Sequence, residues 1–309
     1  MSPATANPIE PSARRAGIFA LAAILLLDLV PGWVYGIVVP VAAMLLLSRP
    51  PGWPRFEHRD LVAIATIFAA VVISFRVAFV GFGTERVAGL FIAFAVGLVI
   101  GVAGPVVYTV AVRRRPIAEL GLRVRPAGPV LAWAGAFALA QVAITLWGYD
   151  LPAPVDWVPL LAMSVVVGFF EAVFFRGFVQ ERLEASAGPA VGVIGAAAVY
   201  SAYHLGFGMP AGEMLFLFGL GVTYAMAFRT ARSILLLWPL LTPLGAFYNN
   251  LEAGDLAGEL PWASIAGFAD VAVVMGLFLL WGRRRSRRMA SAAEGRPRRG
   301  SQPRERSTA

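Results

Sequence analysis

The chain has 309 residues, of which 59% are hydrophobic and 14% charged, with a mean hydropathy of +0.73, against about 45–50% apolar residues in a soluble domain. That balance excludes an ordinary water-soluble enzyme, and the net charge of +8 rests on arginines that punctuate apolar runs, so no nucleic-acid partner is expected. The absence of cysteine removes disulfides, iron–sulfur clusters, thiolate zinc sites and a cysteine nucleophile together. A membrane crossing needs about 20 apolar residues, so the expected fold is all-α: a polytopic transmembrane helix bundle of about 8–10 spans, with the lipid bilayer as its first partner.

In chain order, residues 1–16 read as a disordered cytoplasmic N-terminus ending in Arg14 and Arg15. They resemble the basic start of a signal peptide, but no small-residue cleavage site follows, so an uncleaved first span is expected. The apolar run 18–47 is long for one crossing and short for two; Asp28 and the Pro31, Gly32 pair point to a tight hairpin, a single tilted span being the other reading. Spans at 61–82 and 87–112 complete an N-terminal transmembrane region, 17–112, and residues 113–129 form a basic cytoplasmic linker. A core at 130–288 holds spans at 130–147, 158–179, 190–207, 214–228, 234–251 and 263–281. Residues 289–309 read as a disordered basic tail, whose arginines can touch anionic lipid. With these spans Arg113, Arg114, Arg115, Arg123, Arg125, Arg182, Arg229, Arg232 and the 283–288 cluster fall on one side, which places both termini in the cytoplasm. The loops opposite carry Glu85, Asp150, Asp156, Glu213, Glu252, Asp255 and Glu259.

An ionisable residue inside a span costs roughly 2.5–3.5 kcal/mol on insertion scales, so each asks for a reason. Arg76 and Asp270 lie at comparable depth, where either an ion pair or separate local partners would account for them. Glu171 sits among Phe169, Phe170, Phe174 and Phe175, a setting that makes a carboxylate a candidate proton shuttle. His204 closes the next span, and Asn249 and Asn250 lie two spans later near the same outer end. One carboxylate, one imidazole and one amide on neighbouring helices can position a water between them. Depth is the difficulty: Glu171 is about 13 residues, roughly 20 Å, from the outer end of its span, and His204 is nearer its own.

The pattern of Glu171 and Arg176 followed by Gly177, then Tyr200 four residues before His204, then an asparagine two spans on, resembles the CPBP family of intramembrane proteases, which includes the CAAX prenyl endopeptidases. The family motifs run Glu-Glu-x-x-x-Arg, Phe-x-x-x-His and His-x-x-x-Asn. On that resemblance Glu171 is the catalytic glutamate, His204 the first histidine, and Arg176 and Tyr200 the supporting arginine and aromatic. Two departures stand out. Ala172 replaces the second glutamate, and the third motif has no histidine: with Asn249 as its asparagine, Gly245 holds the histidine position, whereas with Thr242 in the histidine position the asparagine falls on Ala246. Arg176 has lost the carboxylate four residues earlier; it is expected to snorkel to the surface, to pair within 181–184, or to reach a neighbouring helix.

The resemblance implies a glutamic-type intramembrane endopeptidase, a hydrolase acting on a membrane protein or a lipidated or peptide substrate. Glu171 would activate water, His204 would orient it or stabilise the oxyanion, and Asn249 would add a donor. A catalytic metal keeps three protein ligands, and the motifs fall short of three, so no cofactor is expected, a metal such as zinc being the other reading. The alternatives are a catalytically decayed relative acting as a membrane binding, escort or immunity protein, and a transporter or channel, against which stands the lack of paired interrupted helices. A bacterial inner membrane is the expected location, multi-pass, in keeping with a lysine-free sequence.

Overall fold

The structure, a computed structural model, describes residues 11–27, 29–47, 56–82, 87–123, 128–145, 157–239 and 263–294. Those residues are overwhelmingly helical, with no strand among them. The helices are α1 (Pro11–Leu25), α2 (Gly32–Leu47), α3 (His58–Arg76), α4 (Val87–Val107), α5 (Gly128–Thr145), α6 (Trp157–Glu171), α7 (Glu181–Ala187), α8 (Pro189–Tyr203), α9 (Ala211–Ala231), α10 (Ile234–Leu237) and α11 (Ala263–Glu294). Wider π-helical turns prolong α3 over Val77–Phe82, α4 over Tyr108–Val112 and α6 over Ala172–Gln180; tight 3-10 turns stand at Ile117–Leu120 and His204–Phe207. Six stretches are long and apolar enough to cross a membrane: His58–Phe82, Ala95–Val112, Leu161–Ala187, Pro189–Phe207, Ala211–Ala231 and Ile265–Ala292. Gly32–Leu47 and Gly128–Ala140 are shorter apolar helices. This is a multi-pass membrane protein built as an all-α bundle.

Burial sorts these stretches into inner and outer members. In Leu161–Ala187, 78% of the apolar window is buried inside the molecule, against 22% in His58–Phe82 and in Ile265–Ala292. The first is therefore central, and the other two present most of their surface to lipid, where Val273, Leu277 and Leu280 stand exposed. Helix α9 is the second central element, packed against α1, α2 and α8. Small residues let the backbones approach, as membrane helices require in place of a hydrophobic drive: any side chain at Gly36 would collide with the Leu215 carbonyl. From the residue just before Gly36, Tyr35 OH shares a 2.7 Å hydrogen bond with Thr223 Oγ1, joining α2 to α9.

The residues that form ion pairs gather at one end. Thr230 Oγ1 donates to the Ala13 carbonyl at 3.0 Å, joining the end of α9 to the start of α1. Arg113 pairs with Glu57, and Tyr108 OH donates to Asp60 Oδ1 at 2.6 Å, joining the end of α4 to the start of α3. Arg182 lies 3.4 Å from Glu119, and the Ile117 amide donates to Ser286 Oγ at 3.0 Å, bringing α7 and the basic part of α11 to the same place. Burial works against the charge on Arg232, but Glu184 and Glu181 outweigh it and push its pKa up, so the guanidinium stays charged at any working pH.

Several boundaries differ from those expected of the sequence. The run 18–47 is broken, as the hairpin reading requires, into α1 and α2, with Asp28 itself outside the described residues. Helix begins at Pro11, inside the segment expected to be disordered, because proline at the first helical position has its φ preset and loses no needed N–H. The last helix runs to Glu294, past Met289, since the arginine- and alanine-rich sequence that follows the span consists of good helix formers carried on from an existing nucleus. Arg76 and Asp270 are both exposed, and no ion pair joins them among the described residues. Of the expected span 234–251, only the part up to Pro239 is described, helical over Ile234–Leu237.

Candidate active site

Helices α6 and α8 form a hairpin about Gly188, whose φ of +86° is a conformation glycine adopts without strain. Counted from that turn, Glu171 lies 17 residues back and Tyr203 15 residues forward, so both arrive at nearly the same depth. The π-helical stretch shortens the longer arm, because bonding from i to i+5 fits more residues into each turn. The difference in depth expected from the outer ends therefore vanishes when the count starts at the shared turn.

Glu171 is the last residue of α6 before the wide turns begin, and only 6% of it is exposed. Every residue of Ala172–Gln180 is buried. Phe170, Phe174 and Phe178 stack as a ladder, with centroids 6.2 and 6.3 Å apart, and so commit one face of the segment to aromatic packing. Gly177 has the opposite role: a side chain there would strike the Leu120 carbonyl, so glycine lets the linker lie against this segment.

Tyr203 brings the acid and the imidazole together. Its hydroxyl donates to Glu171 Oε1, and its ring lies 4.0 Å, centroid to centroid, from that of His204. His204 starts the 3-10 turn that ends α8, is 7% exposed, and has Nδ1 3.0 Å from the Tyr200 carbonyl. A carbonyl only accepts, so Nδ1 bears a proton in this contact, and in the neutral ring Nε2 then carries the lone pair. Tyr200 also faces Arg176, whose guanidinium carbon lies 4.8 Å from the Tyr200 ring and 5.7 Å from that of Tyr224. Of the three fates open to Arg176, the structure selects a neighbouring helix, and it selects aromatic faces there rather than a carboxylate. Glu181 and Glu184 are engaged elsewhere, by Arg123, Arg229 and Arg232.

Thus Glu171, Arg176, Tyr200 and His204 are brought into one contiguous, aromatic-walled site. Asn249 and Asn250, with the rest of 242–249, lie outside the described residues. Sequence reasoning missed Tyr203, although a phenol beside a histidine within an apolar span is a signal, since a buried tyrosine hydroxyl usually finds a partner. It also missed Gln180, whose Nε2 donates to the Ala225 carbonyl at 3.0 Å and to Glu184 Oε1 at 2.9 Å and so locks the segment to α9. Among the described residues there is no group of three or more His, Asp and Glu side chains that could hold a metal ion.

The bundle thus holds a buried carboxylate and a buried imidazole on adjacent membrane-length helices. A family model described as type II CAAX prenyl endopeptidase, Rce1-like, matches residues 153–240, from α6 to α10, and contains Glu171, Arg176, Tyr200 and His204. The match agrees with the resemblance read from the motifs and covers this core alone; α1 to α5 and α11 lie outside it. No curated protein and no solved structure matches the chain.

Proposed function

We propose that the protein is an intramembrane endopeptidase of the glutamic type, cleaving a membrane-associated protein or peptide with Glu171 as general base. The observation that carries this reading is the Glu171–Tyr203–His204 contact: the bonded phenol holds one carboxylate oxygen, so the carboxylate is fixed in orientation, and the His204 imidazole, packed on the ring of the same phenol, carries a lone pair on Nε2 when neutral. Glu171 takes a proton from water as the water oxygen bonds to the scissile carbonyl carbon; the carbon–nitrogen bond then breaks, and the proton passes to the leaving amine. His204 orients the water or steadies the developing oxyanion, with the Asn249 amide as a further donor. A second reading, a decayed relative that binds or escorts a membrane partner, is favoured by two observations, alanine in place of the second glutamate at position 172 and the lack of a histidine in the third motif.

Glu171→Gln preserves shape and removes the proton acceptor. It should lower turnover roughly 100- to 10,000-fold, about 3–5 kcal/mol of barrier, at unchanged folded yield. Accumulation of an uncleaved membrane protein in cells carrying Glu171→Gln identifies the substrate, and equal phenotypes for that variant and the native chain point to the binding reading. Since one carboxylate and one imidazole make a poor metal site, we further propose that no metal takes part, so that chelators leave activity largely intact. Complete inhibition reversed by zinc would overturn this.

A further inference from the structure

Helix α11 is longer than a bilayer crossing requires. Its 32 residues extend about 48 Å at 1.5 Å per residue, against a hydrocarbon layer about 30 Å thick. Trp281 lies about 27 Å from Ala263 by the same rise. It is partly exposed, at the depth where an aromatic ring marks the edge of the apolar layer. Arg283, Arg284, Arg285, Arg287 and Arg288 follow it, all exposed. None of the five takes part in an ion pair among the described residues, and the sequence has no carboxylate between Asp270 and Glu294.

Contacts with the bundle fix how α11 is turned. Val271 and Met275 are buried, a side chain at Gly282 would lie 2.8 Å from Val106 Cγ1, and Ser286 Oγ accepts from the Ile117 amide at 3.0 Å. These positions share one face of the helix. The opposite face runs through Val273, Leu277 and Leu280 and on to Arg284 and Arg287, at alternating spacings of four and three residues. Its apolar members are 51–62% exposed, as lipid-facing side chains are. One stripe therefore changes from apolar to cationic at the level of Trp281, and Arg288 stands a turn beyond Arg284. Guanidinium groups set there face the headgroup layer, whose phosphate oxygens are acceptors that match their fork geometry.

We infer that Arg284, Arg287 and Arg288 form a binding surface for the headgroups of anionic phospholipids. The occupant is a lipid and not an acidic protein, because the cationic stripe continues a lipid-facing one: a phospholipid meets both halves at once, its acyl chains along Leu277 and Leu280 and its phosphate against the arginines. The Ser286–Ile117 bond holds this part of α11 in register with the bundle, so the arginines are presented from a fixed helix face. The inference is independent of the protease reading.

The test uses the full-length protein in detergent micelles and follows bound lipid by native mass spectrometry as phosphatidylglycerol or phosphatidylcholine with identical acyl chains is titrated in. Phosphatidylglycerol should bind more tightly. An arginine near an anionic surface strengthens attraction roughly fivefold, so Arg284→Gln combined with Arg288→Gln should weaken phosphatidylglycerol binding at least about tenfold and leave phosphatidylcholine binding unchanged. Arg14→Gln combined with Arg15→Gln removes the same charge from exposed arginines on α1 and should have a much smaller effect. Equal binding of the two lipids by the native chain overturns the inference, and so does native affinity in the α11 double variant. An equal loss in the α1 double variant also overturns it, because net charge alone would then account for the preference. Displacement of the lipid by an equal concentration of soluble glycerophosphoglycerol would replace the lipid site by one for a free anion. Should the α11 double variant fail to fold, the native chain still decides: raising NaCl from about 0.05 to about 0.5 M should remove most of the preference by screening, and a preference unchanged by salt refutes the role of the arginines.

Discussion

The phenol of Tyr203 is the link between the two groups to which chemistry is assigned. It bonds to Glu171 Oε1 and packs on the His204 ring, and 2% of it is exposed. A hydrogen bond to an ionised group is worth about 1.5–3 kcal/mol, so Tyr203→Phe, which keeps the ring, should lower kcat roughly tenfold to a hundredfold. If Tyr203 only positions the carboxylate, KM and folded yield stay unchanged while kcat falls, which separates positioning from substrate contact and from a packing defect. A rise in KM at constant kcat would place the hydroxyl against substrate instead.

At the scale of elements, the hairpin of α6 and α8 sets the site, and an ion-pair cluster fastens it to α9. Glu184 on α7 accepts from Arg229 at 2.7 Å and Arg232 at 2.5 Å, and the first of these pairs is buried on both sides, with 7% exposure each. Removing one member of a buried pair leaves the other charged and desolvated, at a cost of about 3–5 kcal/mol. Glu184→Ala should therefore lower the unfolding midpoint and the amount of folded protein in the membrane more than Glu119→Ala, whose pair with Arg182 is more exposed. Equal, small effects of both substitutions would show that Gln180 and the aromatic ladder alone hold the segment.

For the whole molecule, the contacts that gather α1, α3, α4, α7, α9 and α11 at one end place the arginines of those contacts there as well, and on the positive-inside tendency we propose that this end faces the cytoplasm. The chain's lack of cysteine suits a labelling test. Ser2→Cys and Ser301→Cys should react only with reagent admitted to the cytoplasmic side, and Glu213→Cys, near the start of α9, only from the other. Labelling of Ser2→Cys and Ser301→Cys from opposite faces would refute this orientation.

Composition and apolar length alone determined the class of fold and the apolar helices near 61–82, 87–112, 190–207 and the last one, because bilayer thickness imposes the length of a span, whereas the break near Gly32 was one of two readings and the structure chose it. The candidates Glu171, Arg176, Tyr200 and His204 were also legible, since a titratable side chain inside an apolar run is costly enough to stand out. Only the tertiary structure decided which of them meet. The π-helical widening of Ala172–Gln180, the choice of Tyr203 as the shared partner and the turning of Arg176 onto aromatic faces depend on neighbours far apart in sequence. The fate of Glu181 and Glu184 was likewise hidden, because their partners Arg229 and Arg232 lie some 45–50 residues away and reach them only once α9 packs into the bundle. Local sequence sets helix length and cost of burial; which buried groups touch is set by packing between helices, and no periodicity along one chain encodes it.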